Sequence, residues 1–89
     1  MVSEKVNIDS PLGMHLRPAT AMCDKAVRYE SKIHFEYKGG KTANAKSVIS
    51  ILASGVKCGE IIEIFAEGAD EEEALRAVVD ALRESLGND

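Results

Sequence analysis

Apolar and polar positions alternate along some stretches of the chain and return every three to four residues along others. Residues 2–8 (VSEKVNI) set Val6 and Ile8 on one face against Lys5 and Asn7 on the other, which is the pattern of a half-buried strand. Ser10, Pro11 and Gly13 end it. From Leu16 to Arg28, Ala19, Met22, Cys23 and Ala26 recur at helical spacing while Arg17, Asp24, Lys25 and Arg28 occupy other faces, predicting a helix with one buried stripe. Lys32 to Lys38 alternates strictly, with Ile33, Phe35 and Tyr37 against His34 and Glu36, and Gly39-Gly40 leads into a short Lys41–Asn44 segment. This is a hairpin signal, and it leaves His34 facing solvent. Ser47 to Ser54 reads as a short helix with Ser47 as N-cap and Gly55 as terminator. Glu60 to Glu67 alternates again, with Ile62, Ile64 and Ala66 opposite Ile61, Glu63 and Phe65. In the final segment Asp70 can cap a helix and Glu73 can complete a capping box. Leu75, Val78, Val79, Leu82 and Leu86 supply its buried stripe, and Gly87 can end it.

The predicted order is β-α-β-β-α-β-α, an α+β chain whose helices bury their stripes on one face of an antiparallel sheet. A chain of 89 residues, 45% hydrophobic and 29% charged, has the balance of a single globular domain over residues 1–89. Such a small core leaves little room for an enclosed catalytic cleft and favours a surface site. The net charge is −4 and the eleven basic residues are scattered, so no nucleic-acid-binding stripe is expected. No apolar run approaches the roughly 18–20 residues that span a bilayer, and the N-terminus lacks a signal-peptide pattern, so a cytoplasmic protein without membrane insertion is expected. Cys23 and Cys58 have neither metal-ligand nor CxxC spacing. Cys23 fits a packing role on its helix, Cys58 an exposed loop, and neither a metal nor a cofactor is expected.

The segment Gly13-Met14-His15-Leu16-Arg17-Pro18-Ala19-Thr20 sets a histidine where a loop enters the first helix. The first N–H groups of a helix lack internal acceptors and carry the positive end of its dipole, so they form an anion site. Pro18 gives up an N–H that would have no partner there. Arg17 adds a guanidinium able to hold phosphate oxygens in a fork, so His15 and Arg17 bracket a phosphate-sized space. An imidazole with an ordinary pKa of about 6.5 is largely neutral near pH 7 and is already nucleophilic, whereas a serine or threonine needs a base. Spacing alone equally allows His15 to be a plain polar residue at a helix start.

The stretch GMHLRPAT over residues 13–20 resembles the active-site signature of the histidine-containing phosphocarrier (HPr) family of the bacterial phosphotransferase system, and NAKSVISILASG and EGADEEEAL resemble the same family. The resemblance implies an open-faced β-sandwich, a four-stranded antiparallel sheet with three helices on one face. It also implies a cycle in which Enzyme I, charged by phosphoenolpyruvate, phosphorylates the histidine, and sugar-specific Enzyme IIA components receive the phosphoryl group. Such a protein is a carrier, not an enzyme. Residue by residue, His15 matches the phosphoryl acceptor, Arg17 the phosphate-binding arginine, and Ser47, preceded by Lys46, the serine that an HPr kinase/phosphorylase modifies in many members. Leu16 replaces a frequent alanine, and the Lys38–Lys41 turn carries one extra residue. Both the sugar-transport form and the nitrogen-related paralogue fit.

Apolar residues surround a Ser47–Ser54 helix too short to be buried on every side, so Val48, Ile49 and Leu52 are expected outside as the centre of a partner interface. A monomer is expected. A regulatory protein of the same fold that passes no phosphate on, and a small-molecule-binding module in which His15 only caps, are the rival readings.

Overall fold

The alternating segments form four strands and the periodic ones three helices: β1 (Val2–Asn7), α1 (Leu16–Ala26), β2 (Lys32–Tyr37), β3 (Lys41–Asn44), α2 (Val48–Ala53), β4 (Ile61–Glu67) and α3 (Glu71–Gly87). This is a computed structural model, and it describes residues 1–88. The strands lie in the order β1-β4-β2-β3, and each neighbouring pair is antiparallel. The helices cover one face and leave the other open, an open-faced β-sandwich of the α+β class.

Register explains the core. Phe35 on β2 lies between Ile64 of β4 and Ala43 of β3, and Ile62 pairs with Val6 of β1. All of these are buried, with Met22 and Ala26 from α1, Ile51 from α2 and Val78, Val79 and Leu82 from α3. The predicted stripe of α3 is the one that packs. On the open face His34 stacks on Phe65 with ring centroids 4.9 Å apart and planes within 6°, so it is half-buried, not simply solvent-facing. Cross-strand neighbours on one face are close enough for such ring contact.

Four further expectations are corrected. Helix α1 stops at Ala26 because Arg28 and Tyr29 donate to Lys25 O and Ala26 O, tightening the final turn from the α to the 3₁₀ pattern. The capping box does not form. Asp70 makes no side-chain cap bond to α3; its carboxylate accepts from the N–H groups of Glu30 and Ser31, at 3.0 Å each, and from the Ser31 hydroxyl. Glu71 accepts from Gly68 N at 3.2 Å instead. Gly87 is the last helical residue, and Asn88 closes the helix by donating to Ser85 O. Val48, expected outside, is half-buried against the core, because α2 is wedged against both α1 and β3.

Candidate functional site

His15 occupies the N-cap of α1, with φ −97° and ψ −170°. Its N–H donates to Gly13 O at 3.0 Å and its carbonyl accepts the first helical bond from Ala19 N at 3.1 Å. Pro18, the third helical residue, has no N–H. The amides left without an intrahelical acceptor are therefore those of Leu16 and Arg17, directly beside the imidazole-bearing residue. No acidic side chain lies in the first turn of α1, whereas Glu71, Glu72 and Glu73 fill that of α3. Carboxylates at a helix start offset its positive dipole end. Of the two long helices, α1 is thus the one whose first turn carries no carboxylate of its own.

The loop reaching His15 is fixed by backbone contacts. Met14 N donates to Val56 O at 3.0 Å and Gly13 N to Ser10 O at 2.9 Å. Gly13 has φ +65°, and a Cβ there would lie 2.8 Å from Val56 O and 2.9 Å from Lys57 Cα. Met14 turns into the core, so His15, next in the chain, emerges at the surface half-buried.

His15 and Arg17 line one shallow depression of about 790 Å³ together with Leu12, Leu16 and Thr20. The Arg17 guanidinium also reaches Asn88 O at 3.4 Å, a long contact that ties it to the end of α3. Leu12 and Leu16, 71% and 63% exposed, are lining residues that the sequence pattern did not single out. The available signal was that Met14, Pro18 and Ala19 take the inward positions of this segment, which leaves Leu12 and Leu16 outward.

Ser47 is the N-cap of α2, its hydroxyl accepting from Ser50 N at 3.1 Å, as predicted. Ser50 Oγ in turn accepts from Asn44 N at 2.9 Å, and Lys46 Nζ donates to Tyr29 O at 2.7 Å. Helix α2 is thereby fastened to the edge of β3 and to the end of α1. On its outer side Ile49 is 82% exposed and Leu52 38%. Cys58 is exposed and Cys23 partly buried. Among the described residues no group of three or more His, Cys, Asp or Glu side chains could hold a metal ion, and no helix is long and apolar enough to cross a membrane.

A small antiparallel sheet backed by three helices thus brings a histidine and an arginine together in an open depression at the start of one helix. The chain belongs to the HPr family of phosphocarriers of the phosphotransferase system: the model of the PTS HPr component phosphorylation site matches residues 2–84. It is 38% identical over 74 residues to phosphocarrier protein HPr of Mycoplasma pneumoniae, covering 83% of this chain and 84% of the relative. Among solved structures, HPr of Thermoanaerobacter tengcongensis is 37% identical, with a TM-score of 0.88 over 100% of this chain and 99% of that one. The histidine-containing phosphocarrier protein of Mycoplasma superposes with a TM-score of 0.91 at 27% identity, over 96% of both chains.

Proposed function

We propose that this chain accepts a phosphoryl group on His15 from Enzyme I and delivers it to a sugar-specific Enzyme IIA. The observation that carries this reading is the placement of His15 at the N-cap of α1, beside two amides that have no acceptor within the helix and in one depression with Arg17. A ring nitrogen of the neutral imidazole attacks the phosphorus of the phosphorylated donor. An N–P bond forms as the donor's own bond to phosphorus breaks, and the helix start and Arg17 meet the phosphoryl oxygens. Because the depression is open, donor and acceptor proteins can reach the same atom in turn, which a carrier requires and an enclosed site forbids.

Ile49 and Leu52 form the apolar part of the docking surface, with Val48 contributing mainly as the buttress beneath them. Ser47 is the regulatory position, open to an HPr kinase/phosphorylase. Incubation with Enzyme I and labelled phosphoenolpyruvate tests the reading: acid-labile label should enter the parent chain and move on to an Enzyme IIA. A chain that takes up no label, or that keeps it in acid-stable form, would overturn it.

A further inference from the structure

Beside the His15 depression, a second groove of about 470 Å³ runs between α1 and α3. Its charged lining comprises Arg17, Lys25 and Arg28 against Asp24 and Glu84, an excess of cations in a chain of net charge −4. Among the described residues none of Asp24, Lys25, Arg28 and Glu84 is ion-paired, so these charges are not consumed by the fold. Ser85 of α3 lines the same groove. It is 8% exposed, and its hydroxyl is the one buried side-chain polar atom without a hydrogen-bond partner among the described residues.

A buried hydroxyl with no partner destabilises a fold. Beneath a charged groove, it marks a polar group that the packing of α3 leaves uncompensated. Cations suit a phosphate, while carboxylates suit the O–H groups of a polyol, which donate to them. The volume falls within the usual range for small-molecule sites, roughly 300–1,000 Å³. We propose that the α1–α3 groove binds a small phosphorylated polyol, its phosphate between Lys25 and Arg28 and its hydroxyls toward Asp24 and Glu84.

This site does not depend on phosphoryl transfer, and it is tested on the unphosphorylated chain. Glucose 6-phosphate titrated into ¹⁵N-labelled protein should shift the amides of residues 24–28 and 84–85 saturably, with a Kd on the order of 1 mM for so open a groove. Glucose and inorganic phosphate, each alone, should bind at least about tenfold more weakly, since each offers half of the contacts. Arg28→Gln and Glu84→Gln should each weaken binding roughly three- to tenfold, and both positions are exposed enough to leave the fold intact. Ser85→Ala is the control: its hydroxyl lies beneath the lining, so affinity should be unchanged while thermal stability holds or rises. Absence of saturable shifts, shifts confined to residues 13–17, or equal affinity for inorganic phosphate would overturn the proposal.

Discussion

A methyl group at Gly13 would press on the backbone of Val56 and Lys57 at under 3 Å, and φ +65° already favours glycine there. Neither obstacle is the movable end of a side chain, so the loop itself would have to shift. Gly13→Ala should cost about 1–3 kcal/mol through backbone strain alone, read as a fall of about 5 °C or more in Tm for a domain of this size. Transfer at His15 should fall with it, because that loop sets the N-cap. The histidine itself should be dispensable for folding: His15→Ala removes a half-buried side chain and should change stability by no more than about 0.5 kcal/mol. The same variant should lose the acid-labile adduct that mass spectrometry detects on the parent; an adduct persisting on it would remove His15 as acceptor. Arg17→Lys should keep the charge but lose much of the transfer rate, because an ammonium cannot reproduce the guanidinium fork; equal rates would refute a geometric role. The position of His15 and Arg17 was legible in the sequence because it is set locally, by a loop meeting a helix start. The fit of Gly13 was not, since its constraint comes from Val56 and Lys57, far along the chain.

At the scale of elements, period and punctuation placed all seven correctly, and errors gathered where an element end meets another part of the fold. Helix α2 illustrates both outcomes. Its limits, the Ser47 cap and the Gly55 stop follow from local chemistry, but which of its apolar residues faces outward depends on α1 and β3. Val48 is consequently half-buried while Ile49 is 82% exposed. The two should separate by experiment. Ile49→Glu should weaken Enzyme I binding by roughly tenfold, as loss of an interface anchor does, with little change in Tm. Val48→Ala should lower stability by about 1 kcal/mol and leave affinity nearly unchanged; titration calorimetry giving the reverse order would refute this assignment. Ser47→Asp belongs to the same surface. An added negative charge suits the start of α2, so the fold should persist. It would also have to be desolvated beside Ile49 when a partner docks. The expected readout is a raised KM for phosphoryl transfer from Enzyme I with an unchanged circular dichroism spectrum.

Across the whole molecule, a few polar contacts join segments that lie far apart in sequence, and the pattern of apolar positions carries no trace of them. Both outer strands are guarded: Arg83 donates to Lys5 O and pairs with Glu4 at 2.7 Å along β1, while Ser50 Oγ and Ser47 N engage Asn44 at the end of β3. These contacts take up one carbonyl of β1 and the last residue of β3. Asp70 makes three such bonds at once. By accepting from Glu30, Ser31 N and Ser31 Oγ it locks the entry of α3 to the start of β2. The hydrogen bond from the Ser31 hydroxyl, followed by that from the Glu30 amide, holds its carboxyl below the ordinary value of 3.8. A carboxylate whose pKa is lower in the folded than in the unfolded chain stabilises the fold fully above the unfolded value, and the contribution is lost as the pH falls below it. Asp70 should therefore help to support the fold at neutral pH and cease to do so on acidification below 3.8. Glu71, lowered from 4.5 by the Gly68 amide and then by the N-terminal ammonium at 3.2 Å, adds a slope of the same sign. Asp70→Asn presents an amide to three donors and can satisfy them only in part. Its urea midpoint at pH 7 should lie below the parent's, and the gap should narrow as the pH falls below 3.8 and the parent's own carboxylate protonates. A gap that stays constant across that range would show that Asp70 acts by shape, not by charge.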